Sequence, residues 1–75
     1  MTMDEFLKEM SEILEEDAVK ADDELSNFES WDSLAVLSVA AMADTQFGVN
    51  MSAQEINEAT TLDDLYQRIL SKRAP

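Results

Sequence analysis

The sequence predicts an all-α fold, a small four-helix bundle with three longer helices, a short third helix and a long first loop. Three observations carry that expectation. One glycine and one proline (Pro75) in 75 residues leave little material for hairpins or β-bulges. Hydrophobic residues make up 45%, too many for a disordered acidic tail, and Ala, Leu, Met and Glu favour helix. Helical spacing or a helix-start signal recurs in four separate stretches. The length fits one domain over residues 1–75, with a core small enough that stability depends on good packing.

Thr2 with Glu5 three residues on reads as a capping box. Met3, Phe6, Leu7, Met10, Ile13 and Leu14 then trace one helical stripe, with Glu9, Glu12, Glu15 and Glu16 on the other face. This helix is expected to run to about Glu16. From Asp17 to Trp31 the period is lost, and Val19, Leu25 and Phe28 are the apolar anchors of a long loop. Its acidic run Asp22-Asp23-Glu24 lacks the alternating ligands and central glycine of a calcium loop, so no metal site is expected there.

The second helix is expected from Ser33 to Gln46 or Phe47, with Gly48 as the stop. It is apolar on almost every side. Such a helix is central to a bundle or faces a partner, and a core role is expected for most positions. Ser52 and Glu55 form a second capping box, opening a short helix that ends near Glu58 or Ala59, with Met51 and Ile56 inward. Thr61 caps the last helix, whose stripe is Leu62, Leu65, Tyr66, Ile69 and Leu70. Arg68, Lys72 and Arg73 lie toward its C-terminal end, where the helix dipole favours cations.

A net charge of −12, from 17 acidic and 5 basic residues, disfavours nucleic acid and anionic membranes and favours basic protein partners. Without cysteine there is no disulfide and no thiolate metal site; without histidine the usual acid–base side chain is missing. The acidic, amphipathic start is unlike a signal peptide, and no apolar run reaches membrane-spanning length. A cytoplasmic chain without membrane insertion is expected. Asn50-Met51-Ser52 matches a glycosylation acceptor, which without a secretion signal is a chance match.

Self-contained catalysis has no footing here. Ser33 has no histidine in the chain and no nearby lysine to activate it, the carboxylates lie on exposed helix faces, and no glycine-rich phosphate loop is present. What Ser33 does have is a helix start, where free N–H groups and the positive end of the dipole suit a phosphate. It is either a cap or a residue that another enzyme modifies.

Asp32-Ser33-Leu34 resembles the Asp-Ser-Leu attachment motif of acyl carrier proteins. The likeness extends through Leu37, Val39 and Phe47 of the second helix and Met51, Ile56 and Ala59 around the third. It continues through Thr60-Thr61-Leu62, Leu65 and Ile69 of the fourth, and from Asp32 to Ile69 it needs no gap. The resemblance implies that Ser33 carries 4′-phosphopantetheine, taken from coenzyme A by a separate Mg²⁺-dependent phosphopantetheinyl transferase. By the same resemblance the arm's thiol holds an acyl or aminoacyl group for delivery to partner enzymes. Asp32 would orient the motif and contact the transferase, and Leu34 would anchor the helix start and contribute to docking. No residue is assigned as catalytic or metal-binding, and a monomer is expected.

Departures from the family pattern point to a specialised fatty-acid, polyketide or related pathway. Where typical fatty-acid carriers show several acids on the second helix, the corresponding surface here offers Ala35, Ser38 and Thr45, with Asp44 the one acid. Partner enzymes with basic or apolar docking patches are therefore expected. Ala40, Ala41 and Ala43 fit either room for an acyl chain or close helix packing. Trp31, where a small residue is common, fits a packed loop anchor or a contact with a partner or the arm. The alternative function is an unmodified carrier-like acidic adaptor that binds basic proteins.

Overall fold

Thr2, Asp32, Ser52 and Thr61 each place a side-chain oxygen at the start of a helix. The structure is a computed structural model describing residues 1–73; Pro75 lies outside the described residues. It contains four α-helices: α1 (Met3–Ile13), α2 (Ser33–Met42), α3 (Ala53–Asn57) and α4 (Leu62–Arg73). Among the described residues there is no β-strand, only an isolated antiparallel bridge between Glu24 and Thr61.

Both capping boxes form. Thr2 and Glu5 exchange bonds of 2.8 and 3.3 Å, and Ser52 and Glu55 exchange bonds of 2.9 and 3.1 Å. Thr61 Oγ1 accepts the Asp64 N–H at 3.0 Å. Each satisfies an N–H that the helix start leaves without a partner.

The end of α1 departs from the expectation. The helix stops at Ile13, not near Glu16, because Glu15 turns into the left-handed region (φ 58°). There Glu15 N–H reaches Glu12 O at 3.2 Å and Glu16 N–H reaches Ser11 O at 2.8 Å, closing the carbonyls of the last turn. A side chain in this conformation is strained, and glycine is the usual occupant. Glu15→Gly is expected to raise stability by about 0.5–1 kcal/mol, read as a higher urea midpoint at unchanged slope. Among the described residues the side-chain bond given up is an exposed one, from Ser30 Oγ to the Glu15 carboxylate at 2.9 Å. A lowered midpoint would mean that this bond outweighs the strain.

Residues 14–32 join α1 to α2 and contain one 3₁₀ turn, Leu25–Asn27. Backbone bonds tie this connection to the start of α4: Leu25 N–H to Thr60 O (2.9 Å), Leu62 N–H to Asp23 O (3.1 Å) and Asp63 N–H to Ala21 O (2.8 Å). Val19 and Leu25 are buried and Phe28 is half-buried against the core. The core joins Phe6, Met10 and Leu14 to Val36, Val39 and Met42 of α2 and to Ile56, Leu62, Leu65 and Ile69. Phe6 meets Tyr66 at 5.1 Å between ring centroids and Phe47 at 6.5 Å, edge to face in the second case.

Beyond Met42 the helix continues as one widened π turn, Ala43–Phe47. The Thr45 hydroxyl bonds the Ala41 carbonyl at 3.0 Å, a competing interaction inside the ladder. Gly48 (φ 68°) then ends the segment as expected, with Val49 N–H reaching back to Ala43 O at 3.2 Å.

Lys72 near the end of α4 reaches the start of α3. Its ammonium donates to Asn50 O at 2.9 Å and lies 2.8 Å from a Glu55 carboxylate oxygen. The Lys72 bond, followed by those from Ser52, pulls the Glu55 carboxyl down to about 2 from an ordinary 4.5. A depressed carboxyl contributes stability above its unfolded value and loses it as pH falls through the folded one. The Glu55 contribution is thus expected to disappear between pH 4.5 and about 2. Lys72→Met should move the Glu55 titration, followed by carboxyl-carbon NMR, back toward the ordinary value. A titration unmoved by the substitution would contradict the contact.

Candidate functional site

The start of α2 is set by an aspartate, not by the serine. Asp32 is extended (φ −135°, ψ −171°), and its carboxylate accepts the Ala35 N–H at 3.0 Å. Asp32 O takes the Val36 N–H at 3.0 Å. This corrects the reading of Ser33 as a possible cap: Ser33 is the first residue inside the helix. Its side chain is exposed and makes no hydrogen bond among the described residues. The N–H groups of Ser33 and Leu34 likewise have no acceptor among the described residues. A free hydroxyl therefore stands beside two free N–H donors at the positive end of a ten-residue helix.

The apolar helix does have sides, and the sequence did not show which was which. Ala35 (4% exposed), Val36, Val39 and Met42 face the core, with Ala43 fully enclosed beyond them. Leu34 and Leu37 are 72% and 61% exposed. Two expectations are corrected. Ala35 is not on the surface, because the i, i+4 row through Ala35, Val39 and Ala43 packs inward. Leu34 does not anchor the helix start, because it lies on the opposite side of that row. The outward face carries Leu34, Leu37, Ser38, Ala41, Asp44 and Thr45.

A groove of about 410 Å³ opens beside Ser33. Trp31 walls it on the loop side, Asp32, Ser33, Val36 and Leu37 form its floor along α2, and Ala53 and Asn57 close it from α3. Asp32 and Ser33 thus share this groove, whereas Leu34 does not border it. Ala40, Ala41 and Ala43 do not border it either. Trp31 is half-buried, packed against the core on one side and lining the groove on the other. Ala53 and Asn57 were not singled out from the sequence. Their i, i+4 spacing puts them on one face of α3, but only the packing of α3 on α2 aims that face at Ser33.

Among the described residues no group of three or more Asp, Glu, His or Cys side chains is placed to hold a metal ion. Asp23, in the acidic run, instead accepts the Lys20 N–H at 2.8 Å. No helix among the described residues is long and apolar enough to cross a membrane.

The site thus consists of an exposed serine hydroxyl at the start of α2, with the neighbouring Asp32 carboxylate engaged as the helix cap. Residues 4–69 match the family model described as the phosphopantetheine attachment site. The chain belongs to that family, whose members carry 4′-phosphopantetheine covalently on a serine and are carriers, not enzymes. Carriers of this kind work with a phosphopantetheinyl transferase and with acyl-handling enzymes. Searches of curated proteins and of solved structures each returned no match.

Proposed function

We propose that this chain is an acyl carrier protein modified on Ser33, one carrier domain over residues 1–75 built as a four-helix bundle with an extended first connection. The observation that carries the reading is the Ser33 hydroxyl, exposed and unbonded at the start of α2 beside two free N–H groups. In the modification, Ser33 Oγ attacks the pantetheine-side phosphorus of coenzyme A. The Oγ–P bond forms, the P–O bond to the adenosine 3′,5′-bisphosphate leaving group breaks, and the hydroxyl proton passes to a base of the transferase. Here α2 supplies the electrostatics: its N–H groups and dipole favour the phosphodiester charge, and the Asp32 carboxylate is already engaged by Ala35 N–H. The arm, when bound, supplies a terminal thiol that holds the acyl or aminoacyl group as a thioester.

Asp32 orients the first turn through its cap and presents an acid to the transferase. Leu34 and Leu37 project as apolar contacts on an α2 face whose one acid is Asp44, which fits partners that read apolar surface more than charge. A dedicated pathway of fatty-acid, polyketide or related type follows from that face. Monomeric and cytoplasmic action belongs to the same reading, since reducing surroundings keep the arm's thiol free. The test is incubation with coenzyme A, Mg²⁺ and a broad-specificity transferase, followed by intact mass and site mapping. One arm per chain on Ser33 is expected; an unchanged mass would leave an acidic adaptor as the better account.

A further inference from the structure

We propose that Glu15 is a positioning residue for the modification of Ser33: through Ser30, its carboxylate fixes the segment that presents Asp32 and Ser33 to the transferase. The inference rests on the carrier reading and adds to it a residue outside both the attachment motif and the groove. Among the described residues Glu15 is the one non-glycine residue with a positive φ (58°). The bonds that close α1 there, Glu15 N–H to Glu12 O and Glu16 N–H to Ser11 O, use backbone atoms alone. Glycine would make them without strain. What glutamate supplies and glycine cannot is the carboxylate that accepts Ser30 Oγ at 2.9 Å, from fifteen residues further along the chain. A strained residue kept in place of an easier one points to a task for its side chain.

The place of that bond gives the task. The first half of the connection between α1 and α2 is held by backbone bonds from Ala21, Asp23 and Leu25 to the start of α4. The second half has no such support. Residues 26–31 make their backbone bonds locally: Asn27 N–H to Glu24 O, Phe28 N–H to Leu25 O and Trp31 N–H to Phe28 O, each at 3.1 or 3.2 Å. Among the described residues their one hydrogen bond to a distant part of the chain is that of Ser30 to Glu15. Leu14, beside Glu15, is 1% exposed, so the carboxylate is carried by a residue anchored next to the core. Phe28 and Trp31 are only half-buried. Without the bond, residues 29–31 are free to take up conformations that turn Asp32 and Ser33 away from an incoming enzyme. The competent fraction of the free chain then falls, and with it the apparent affinity, while the bound geometry and the chemical step stay the same.

The experiment loads the full unmodified chain with coenzyme A, Mg²⁺ and a broad-specificity transferase, and measures kcat and KM for the chain. Ser30→Ala and Glu15→Gly are each expected to raise KM about 3–10-fold, the worth of one hydrogen bond, at unchanged kcat. The double variant should raise it no further, because both changes break the same link. Glu15→Gln keeps an acceptor at the same reach and is expected to restore KM. In the free chain the Trp31 amide is expected to exchange with solvent faster in Ser30→Ala than in the wild type. Stability separates positioning from a merely structural role, since Glu15→Gly relieves strain and is expected to be the more stable chain while loading less well. An unchanged KM, effects that add in the double variant, or a KM raised by Glu15→Gln but not by Ser30→Ala would overturn the positioning role alone. A wild-type chain that gains no mass would overturn the carrier reading and the inference with it.

Discussion

Ser33→Ala is expected to abolish loading completely and to leave stability nearly unchanged. In the proposed modification the Ser33 hydroxyl is the nucleophile, and alanine supplies none. Its loss costs the fold little, because the side chain is exposed and bonds to nothing among the described residues. Alanine is moreover the better helix former, by at most about 0.7 kcal/mol. Asp32→Ala should behave in the opposite way. It removes the cap on Ala35 N–H and is expected to cost about 1 kcal/mol of stability while leaving the nucleophile in place. Asp32→Asn keeps a capping oxygen, so any slowing of its loading reports the carboxylate's role toward the transferase and not the cap. Intact mass and urea titration of the three variants separate the roles. An arm mapped to Ser30 or Ser38 in Ser33→Ala would overturn the assignment, as would a stability loss as large as that of Asp32→Ala.

That division of labour within two adjacent residues was only half legible in the sequence. Capping pairs such as Thr2–Glu5 and Ser52–Glu55 declare themselves, because a local hydrogen bond needs particular residue types at a fixed spacing. Amphipathic stripes on α1 and α4 are equally plain. The orientation of α2 was hidden because its apolar residues lie on all sides, leaving no period to distinguish Ala35 from Leu34. Nothing in the residues around Glu15 marked the end of α1, since a left-handed turn without glycine has no sequence signature. The pairing of Asp23 and Leu25 with Thr60 and Leu62 runs through backbone atoms, to which side-chain patterns are blind. The groove has the same character. Trp31 could be noticed as unusual, but its partnership with Asn57 exists only once α3 has packed on α2.

Phe6→Ala is expected to have the largest effect on the fold, about 3–5 kcal/mol. Phe6 is fully buried, and its ring joins three elements: α1, the π turn through Phe47 and α4 through Tyr66. Truncation removes the transfer free energy of the ring and leaves a void that two aromatic neighbours, themselves 6.1 Å apart, cannot close without moving. A chain of this size has about 4–11 kcal/mol of stability in all, so the variant should be marginal or largely unfolded at room temperature. Leu34→Ala provides the contrast. It is also apolar, but 72% exposed, and should change stability by no more than about 0.5 kcal/mol. Urea titration followed by circular dichroism compares the two, and a Phe6→Ala loss below about 1 kcal/mol would contradict the packing. The same pair tests what the transferase recognises. Ser33 is the first residue of α2, and Phe6 is not among the residues that line the groove beside it. If the enzyme reads a folded α2, the loading rate of Phe6→Ala should fall in step with its folded fraction. Loading at the full rate in an unfolded chain would instead make residues around Asp32-Ser33-Leu34 a sufficient substrate without the fold.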